Sequence, residues 1–233
     1  MAIFNPSNQL LQIDTGNVAT YLYNPTLGLA PYAGIGENQI LGQRYIGVTP
    51  QSGTTPGSAL VGATYPTSYA AANASGSQAI YILVQYSPAS AITTANLTTA
   101  AGPAPVYWTD NTFTTVTGIT TEGIGGTTLG LAFPAGYMLL NTATGYGLGG
   151  TALTAAALLG SFILIQVAGY LKGVYCSGTS NPGIGSWIVP AAGTLSSNSI
   201  AAGSTTTYQP FGRQLTALVS TNYCDVLVGC DNF

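Results

Sequence analysis

Residues 78–86 read Gln78-Ala-Ile-Tyr-Ile-Leu-Val-Gln-Tyr86, and residues 160–168 read Gly160-Ser-Phe-Ile-Leu-Ile-Gln-Val-Ala168. Both runs are apolar and rich in β-branched or aromatic residues, which suit a pleated, half-buried surface. Both are short and bounded by turn formers, so Ala79–Gln85 and Phe162–Val167 within them read as buried strands rather than helices. Their likeness is a weak internal echo, which chance explains nearly as well as duplication. The second run lies within residues 152–171, ALTAAALLGSFILIQVAGYL, a stretch long enough to imitate a membrane span. Thr154, Ser161, Gln166 and two glycines interrupt it, and the orientation-setting Lys/Arg of membrane helices are nearly absent from its flanks. Phe162-Ile-Leu-Ile-Gln-Val167 is therefore expected as a strand, and no membrane partner is expected.

Short candidate strands recur on either side of these runs. Arg44-Tyr-Ile-Gly-Val48 precedes them. Pro105-Val-Tyr-Trp108 and Thr112-Phe-Thr-Thr-Val-Thr117 flank Asp110-Asn111, a hairpin signal. Tyr137-Met-Leu-Leu140, Val174-Tyr-Cys176, Ser186-Trp-Ile-Val189 and Asp225-Val-Leu-Val228 complete the set, and an Ala/Leu run before Phe162 allows one or two helical turns. No window of helical period is long enough for a packed helix. Turn signals at such short intervals predict a mainly β fold, with a β-sandwich or barrel-like body.

The first forty residues differ. Tyr23-Asn-Pro-Thr and Ala30-Pro-Tyr-Ala-Gly-Ile-Gly are broken by proline and glycine and hold no period. Residues 1–40 are expected to form an extended, irregular N-terminal arm. Residues 41–233 are expected to form the β-rich body, with room for two small β subdomains meeting near residues 120–135. Residues 50–77, PQSGTTPGSALVGATYPTSYAAANASGS, are low in complexity and read as a long surface loop.

Charge is the most informative feature of the composition. Hydrophobic residues make up 46% of the 233, so a real core is expected, yet charged residues make up only 4%. An average soluble domain has about 25%. The net charge is −3, and the basic residues are Arg44, Lys172 and Arg213. Binding to nucleic acid rests on several cations against phosphates, so nucleic acid is excluded as a main partner. A polar surface built from Thr, Ser, Asn, Gln and Tyr suits a protein packed against neighbours in an assembly, because low net charge promotes association. The alternative is a compact secreted β protein with a neutral face. Cys176, Cys224 and Cys230 are too few for a disulfide scaffold. Cys224 and Cys230 are near enough in sequence to pair, but buried thiols in a reducing compartment fit better. Met1-Ala-Ile-Phe-Asn-Pro lacks the basic and apolar regions of a signal peptide, so none is expected.

Histidine is absent, which removes the commonest general base, the Ser-His and Cys-His nucleophile pairs and the commonest transition-metal ligand. Asp14, Glu37, Asp110, Glu122, Asp225 and Asp231 form no recognisable carboxylate motif of the kind glycosidases use. Gly123-Ile-Gly-Gly-Thr-Thr looks like a phosphate loop but has no lysine and no following helix. Asp225, Asp231 and Asn232 could face a Ca²⁺ ion, but the EF-hand spacing is missing. Asn73-Ala-Ser75 and Asn96-Leu-Thr98 match a glycosylation pattern that a Thr/Ser-rich chain produces by chance. No catalytic residue, cofactor or metal is expected, and the chain reads as non-enzymatic. Of the 15 tyrosines, Tyr21, Tyr23 and Tyr32 in the arm are the candidate partner contacts, because tyrosine joins a large apolar face to a hydroxyl.

The order of segments from Gln78 onward resembles the capsid decoration, or cement, proteins of tailed bacteriophages. The resemblance is carried by Tyr81-Ile-Leu-Val84, Pro105-Val-Tyr-Trp-Thr-Asp-Asn-Thr-Phe-Thr-Thr-Val-Thr117 and Pro134-Ala-Gly-Tyr-Met-Leu-Leu-Asn-Thr142. It continues through Phe162-Ile-Leu-Ile-Gln-Val-Ala-Gly169, Phe211-Gly-Arg-Gln-Leu215 and Cys224-Asp-Val-Leu-Val228. It covers about two thirds of the chain and rests on character and order. The long N-terminal region and the 50–77 loop depart from the pattern and leave the mode of attachment open. The resemblance implies a β-rich, oligomeric body seated on the outside of a phage head, where it reinforces capsomer contacts. The implied partners are the major capsid protein and further copies of the chain, a trimer being suggested by the symmetry of capsid sites. The implied location is the virion surface, after assembly in the bacterial cytoplasm. A head-fibre or tail-associated module that binds a receptor or carbohydrate is the alternative. A major shell protein would carry long helices and more charge.

Overall fold

The apolar runs at 78–86 and 160–168 form adjacent antiparallel strands at the centre of the molecule. The computed structural model describes residues 10–11, 22–23, 41–42, 44–48, 78–98, 103–125, 132–138, 154–176, 183–191, 195, 197–201, 209–218 and 222–230. Among these the strands are β1 (Leu10–Leu11), β2 (Leu22–Tyr23), β3 (Arg44–Val48), β4 (Gln78–Tyr86), β5 (Ala104–Trp108) and β6 (Thr115–Thr117). They continue with β7 (Pro134–Met138), β8 (Phe162–Tyr175), β9 (Trp187–Pro190), β10 (Ser197–Ile200), β11 (Gly212–Gln214) and β12 (Tyr223–Gly229). Two short helices, α1 (Thr94–Thr98) and α2 (Ala155–Leu158), and a 3₁₀ turn at Thr120–Glu122 join them. The expected mainly β, barrel-like body is what forms.

β4 pairs β8 from Gln85↔Phe162 to Ala79↔Gly169. On its other edge β4 meets β6 in parallel, β6 pairs β5, β5 pairs β7, and β7 returns to β8 at Tyr137↔Gln166 and Met138↔Ile165. The circuit β4–β6–β5–β7–β8 closes into a barrel, which removes the unpaired edges an open sheet would present. Gly136 makes the closure possible. Its φ is +150°, and a Cβ there would sit 2.4 Å from the carbonyl oxygen of Gln166, so no side chain fits where β7 crosses β8.

β8 then leaves the barrel. The β4–β8 register shifts between Ile80 and Tyr81, opposite Ala168 and Gln166, so Val167 is the extra residue of a bulge. The Val167 carbonyl accepts from Cys230 N instead (2.8 Å), and the buried Gln166 amide donates to the Tyr170 carbonyl (2.8 Å). From Ala168 onward β8 pairs β12, and the sheet runs on through β11, β9 and β10. A parallel bridge between Cys176 and Ser197 ties β10 back to the end of β8. One strand of 14 residues thus serves two circuits. A single continuous core fills both, because Phe211 packs on Tyr107 (ring centroids 5.6 Å) and on Tyr137 (5.0 Å). Tyr81, Tyr86, Tyr107, Tyr137 and Tyr223 are all fully buried.

Three expectations change in detail. Val174-Tyr-Cys176 is the continuation of β8 and not a separate strand, because Gly169 (φ +95°) and Gly173 (φ +69°) bend the strand without ending it. The hairpin at Asp110-Asn111 exists, with Tyr107↔Thr117 and Trp108↔Val116 paired. Its loop is longer than two residues, because the Asp110 carboxylate accepts from both Thr112 N (3.1 Å) and Thr112 Oγ1 (2.7 Å) and Phe113 turns to φ +53° onto Trp108. β10, Ser197-Asn-Ser-Ile200, carried too little apolar character to be read as a strand. Of residues 1–40, only β1 and β2 are described, and both pair with the body, β1 with β3 and β2 with β8. The rest of the arm and the whole 50–77 loop lie outside the described residues.

Candidate interaction surface

Each described carboxylate is already occupied inside the fold. Glu122, on the 3₁₀ turn, accepts from Thr117 Oγ1 (2.6 Å), Ser90 Oγ (2.8 Å) and Ala91 N (2.7 Å). It therefore clamps the segment after β4 to the segment after β6. Beside it the buried Tyr86 hydroxyl accepts from Gly118 N (2.7 Å), and burial pushes that phenol up to about 12. Asp225 is fully buried and accepts from Tyr170 Oη and from Gly173 N (3.2 Å). Asp110 holds its own turn. Among the described residues no group of three or more His, Cys, Asp or Glu is placed to hold a metal ion.

Cys176, Cys224 and Cys230 are buried free thiols. The close pair is Cys176 and Cys224, with sulfurs 3.8 Å apart, rather than the sequence neighbours Cys224 and Cys230. The hydrogen bond to Cys176 and burial hold the Cys224 thiol well above the usual thiol range. Reactive cysteines need the opposite, a depressed pKa and solvent access. Tyr137 Oη lies 2.8 Å from Ser197 Oγ in the same interior, and burial raises it too. These groups weld the two circuits together and offer no nucleophile to solvent.

The outer face of the second circuit is different. Cross-strand partners on antiparallel strands project to the same face of a sheet. The registers Tyr170↔Leu227, Leu227↔Arg213, Arg213↔Trp187 and Trp187↔Ile200 therefore align one residue from each of β8, β12, β11, β9 and β10 in a single row. At ordinary strand spacing the row is about 19 Å long. Its alternates, Val226, Val228, Gln214, Ile188 and Ser199, are buried on the inner face. The row borders an open groove of about 390 Å³ whose walls include Pro134, Pro210 and Gly229. Gly212 also lines the groove. A Cβ there would fall 2.0 Å from the Leu227 carbonyl oxygen, so β11 approaches β12 as only glycine permits.

Leu227 (48% exposed) and Ile184 (71% exposed) are the exposed large apolar side chains of the described body. Ile184 caps the turn at residues 183–185, which Arg213 holds in place. The Arg213 Nη1 donates to the Gly185 carbonyl (3.0 Å), and its guanidinium lies 5.1 Å from the centre of the Trp187 ring.

Tyr23, one of the three tyrosines singled out in the sequence, lies in β2 with its backbone paired to Phe162. Tyr21 and Tyr32 lie outside the described residues. Trp187, Arg213, Leu227 and Ile184 were not singled out. Arg213 could have been, as one of three cations in the chain, but its neighbours in the row come from strands whose register no local pattern reveals. No family model matches the chain, and no curated protein and no solved structure shows significant similarity to it.

Proposed function

We propose that the chain is a non-enzymatic structural protein of a tailed-phage virion, a cement or decoration protein bound to the outer surface of the head. Its partners on this reading are the major capsid protein and other copies of itself, in a homo-oligomer whose expected form is a trimer. The observation that carries the reading is the lack of free charge. Only 4% of residues are charged, and the described carboxylates are spent on internal hydrogen bonds. What the described residues leave for solvent is a face of little charge, with apolar side chains around Arg213 and a groove beside them, which is suited to contact with a neighbour. The order of segments shared with decoration proteins supports the same reading. Reinforcement follows from repetition. Each contact adds roughly 25 cal/mol per Å² of apolar surface removed from water, less the cost of association, and a shell repeats it at every site.

Electron cryomicroscopy of the virion tests the proposal. Density for the chain on the capsid lattice is the expected result; density on the tail, or none on the head, overturns it. Trp187 on the wall of an open groove favours one second reading, a head-fibre or tail-associated module for carbohydrate or receptor. Specific binding on a glycan array by the purified chain, abolished by Trp187→Ala, would select that reading.

A further inference from the structure

We infer that the row Tyr170–Leu227–Arg213–Trp187–Ile200 is a docking face for a protein surface that presents a carboxylate flanked by aliphatic side chains; the identity of that surface as a capsid subunit rests on the function proposed above. Charge complementarity carries the inference. Arg213 is exposed at the middle of the row. Its recorded contacts are one hydrogen bond to the Gly185 carbonyl and the face of Trp187. A guanidinium has five N–H donors in a fixed fork that matches a carboxylate, so most of the fork points to no acid of the described fold. The ring of Trp187 and the bond to Gly185 fix the guanidinium plane beforehand, which lowers the entropy lost when an acid arrives. Leu227 and Ile184, exposed on either side of it, supply the apolar contact that excludes water around the pair.

A second copy of the chain is the competing occupant. Of its described carboxylates, Glu122 is clamped by three donors and Asp225 is buried, whereas Asp110 lies half-exposed in its own turn. We take a different protein as the occupant, and the oligomeric state of the chain distinguishes it from a second copy.

Two measurements on the full chain test this. The first is co-sedimentation with head shells that lack the chain, using wild type, Arg213→Gln, Leu227→Asp and, as a control elsewhere on the surface, Ala156→Asp. Unchanged melting temperatures establish folding. Arg213→Gln and Leu227→Asp are each expected to weaken binding by about tenfold or more, since they leave a desolvated carboxylate without its cation or bury a charge at the centre. The control is expected to bind as wild type does. If all three variants bind like wild type, the inference is wrong while the cement function stands. The second measurement needs no shell. The indole N–H resonance of Trp187 is followed during titration with the peptide Ac-Leu-Glu-Leu-NH₂, with Ac-Leu-Gln-Leu-NH₂ as its uncharged counterpart and the buried Trp108 as reference. A shift at Trp187 that requires both the Glu peptide and Arg213 supports the docking face even if no shell is bound, in which case only the cement function falls. Equal response to both peptides, or none, overturns it. A dimer in sedimentation velocity that dissociates on Arg213→Gln also overturns it, by making the occupant a second copy.

Discussion

Replacing Tyr86 by phenylalanine should reveal a stability term that is silent at neutral pH and is lost in alkali. Burial lifts the folded-state pKa of Tyr86 from 10.0 to about 12, against the opposing hydrogen bond from Gly118 N. Below pH 10 the phenol is protonated whether the chain is folded or not. Between about pH 10 and pH 12 the unfolded chain releases the proton first, so folding becomes progressively less favourable. A raised acid pKa thus contributes stability that is full below the unfolded value and gone above the folded one. Two pK units correspond to about 2–3 kcal/mol. The phenylalanine variant lacks this slope, but it orphans the buried Gly118 N–H and should be about 1–3 kcal/mol less stable at pH 7. The wild-type and variant stabilities should therefore converge as pH rises from 10 to 12. Tyr137, raised by burial, and Cys224, raised by its hydrogen bond with Cys176 and by burial, weaken both proteins equally and cancel in the difference. Urea unfolding followed by circular dichroism at a series of pH values from 7 to 12 measures the difference directly. Two parallel stability curves across that window would refute the assignment of a buried, hydrogen-bonded phenol at position 86.

The three thiols should be inert toward an aromatic disulfide reagent in the native protein and react together only on unfolding, because all are buried; rapid modification of Cys224 in the folded chain would contradict its placement beside Cys176. Gly212→Ala should cost more than about 2 kcal/mol, since the new methyl falls 2.0 Å from the Leu227 carbonyl and the β11–β12 pairing must yield; a variant that melts within a degree of wild type would show that the close approach does not exist. Shell binding, on the function proposed here, should change by less than about threefold between about 0.1 and about 1 M salt, because a neutral face and one desolvated ion pair are poorly screened. Release by salt alone would point to a charged interface and overturn that reading.

What the sequence made legible was decided by local pattern. Apolar, β-branched runs between turn formers located β3, β4, β5, β9, β12 and the start of β8 to within a few residues, because burial on a sheet demands that composition. What it hid was set by events between distant residues. The glycines at 169 and 173 punctuate the sequence as strand ends, yet the hydrogen bonds of β12 carry β8 through both. The Ser197–Ile200 strand is polar because Ser197 and Ser199 point inward to Tyr137 and Gln214, a satisfaction that no linear pattern reports. The docking row is invisible for the same reason. Trp187, Arg213 and Leu227 lie on three separate strands and become neighbours only through register.

The scarcity of charge also constrains how any partner is found. With a net charge of −3 spread over 233 residues, the body has little long-range field to steer an encounter. Association then falls in the unsteered range of about 10⁵–10⁶ M⁻¹s⁻¹. Tight binding must come from a slow off-rate, and a slow off-rate comes from a small, well-desolvated centre rather than from a broad charged rim. Arg213, held flat on Trp187 and flanked by Leu227 and Ile184, is the described group with that character. On the function proposed here, each site of a repeating shell would wait for an unguided collision and then keep its occupant, so the coat would fill slowly and stay filled when salt or dilution would strip a charged one.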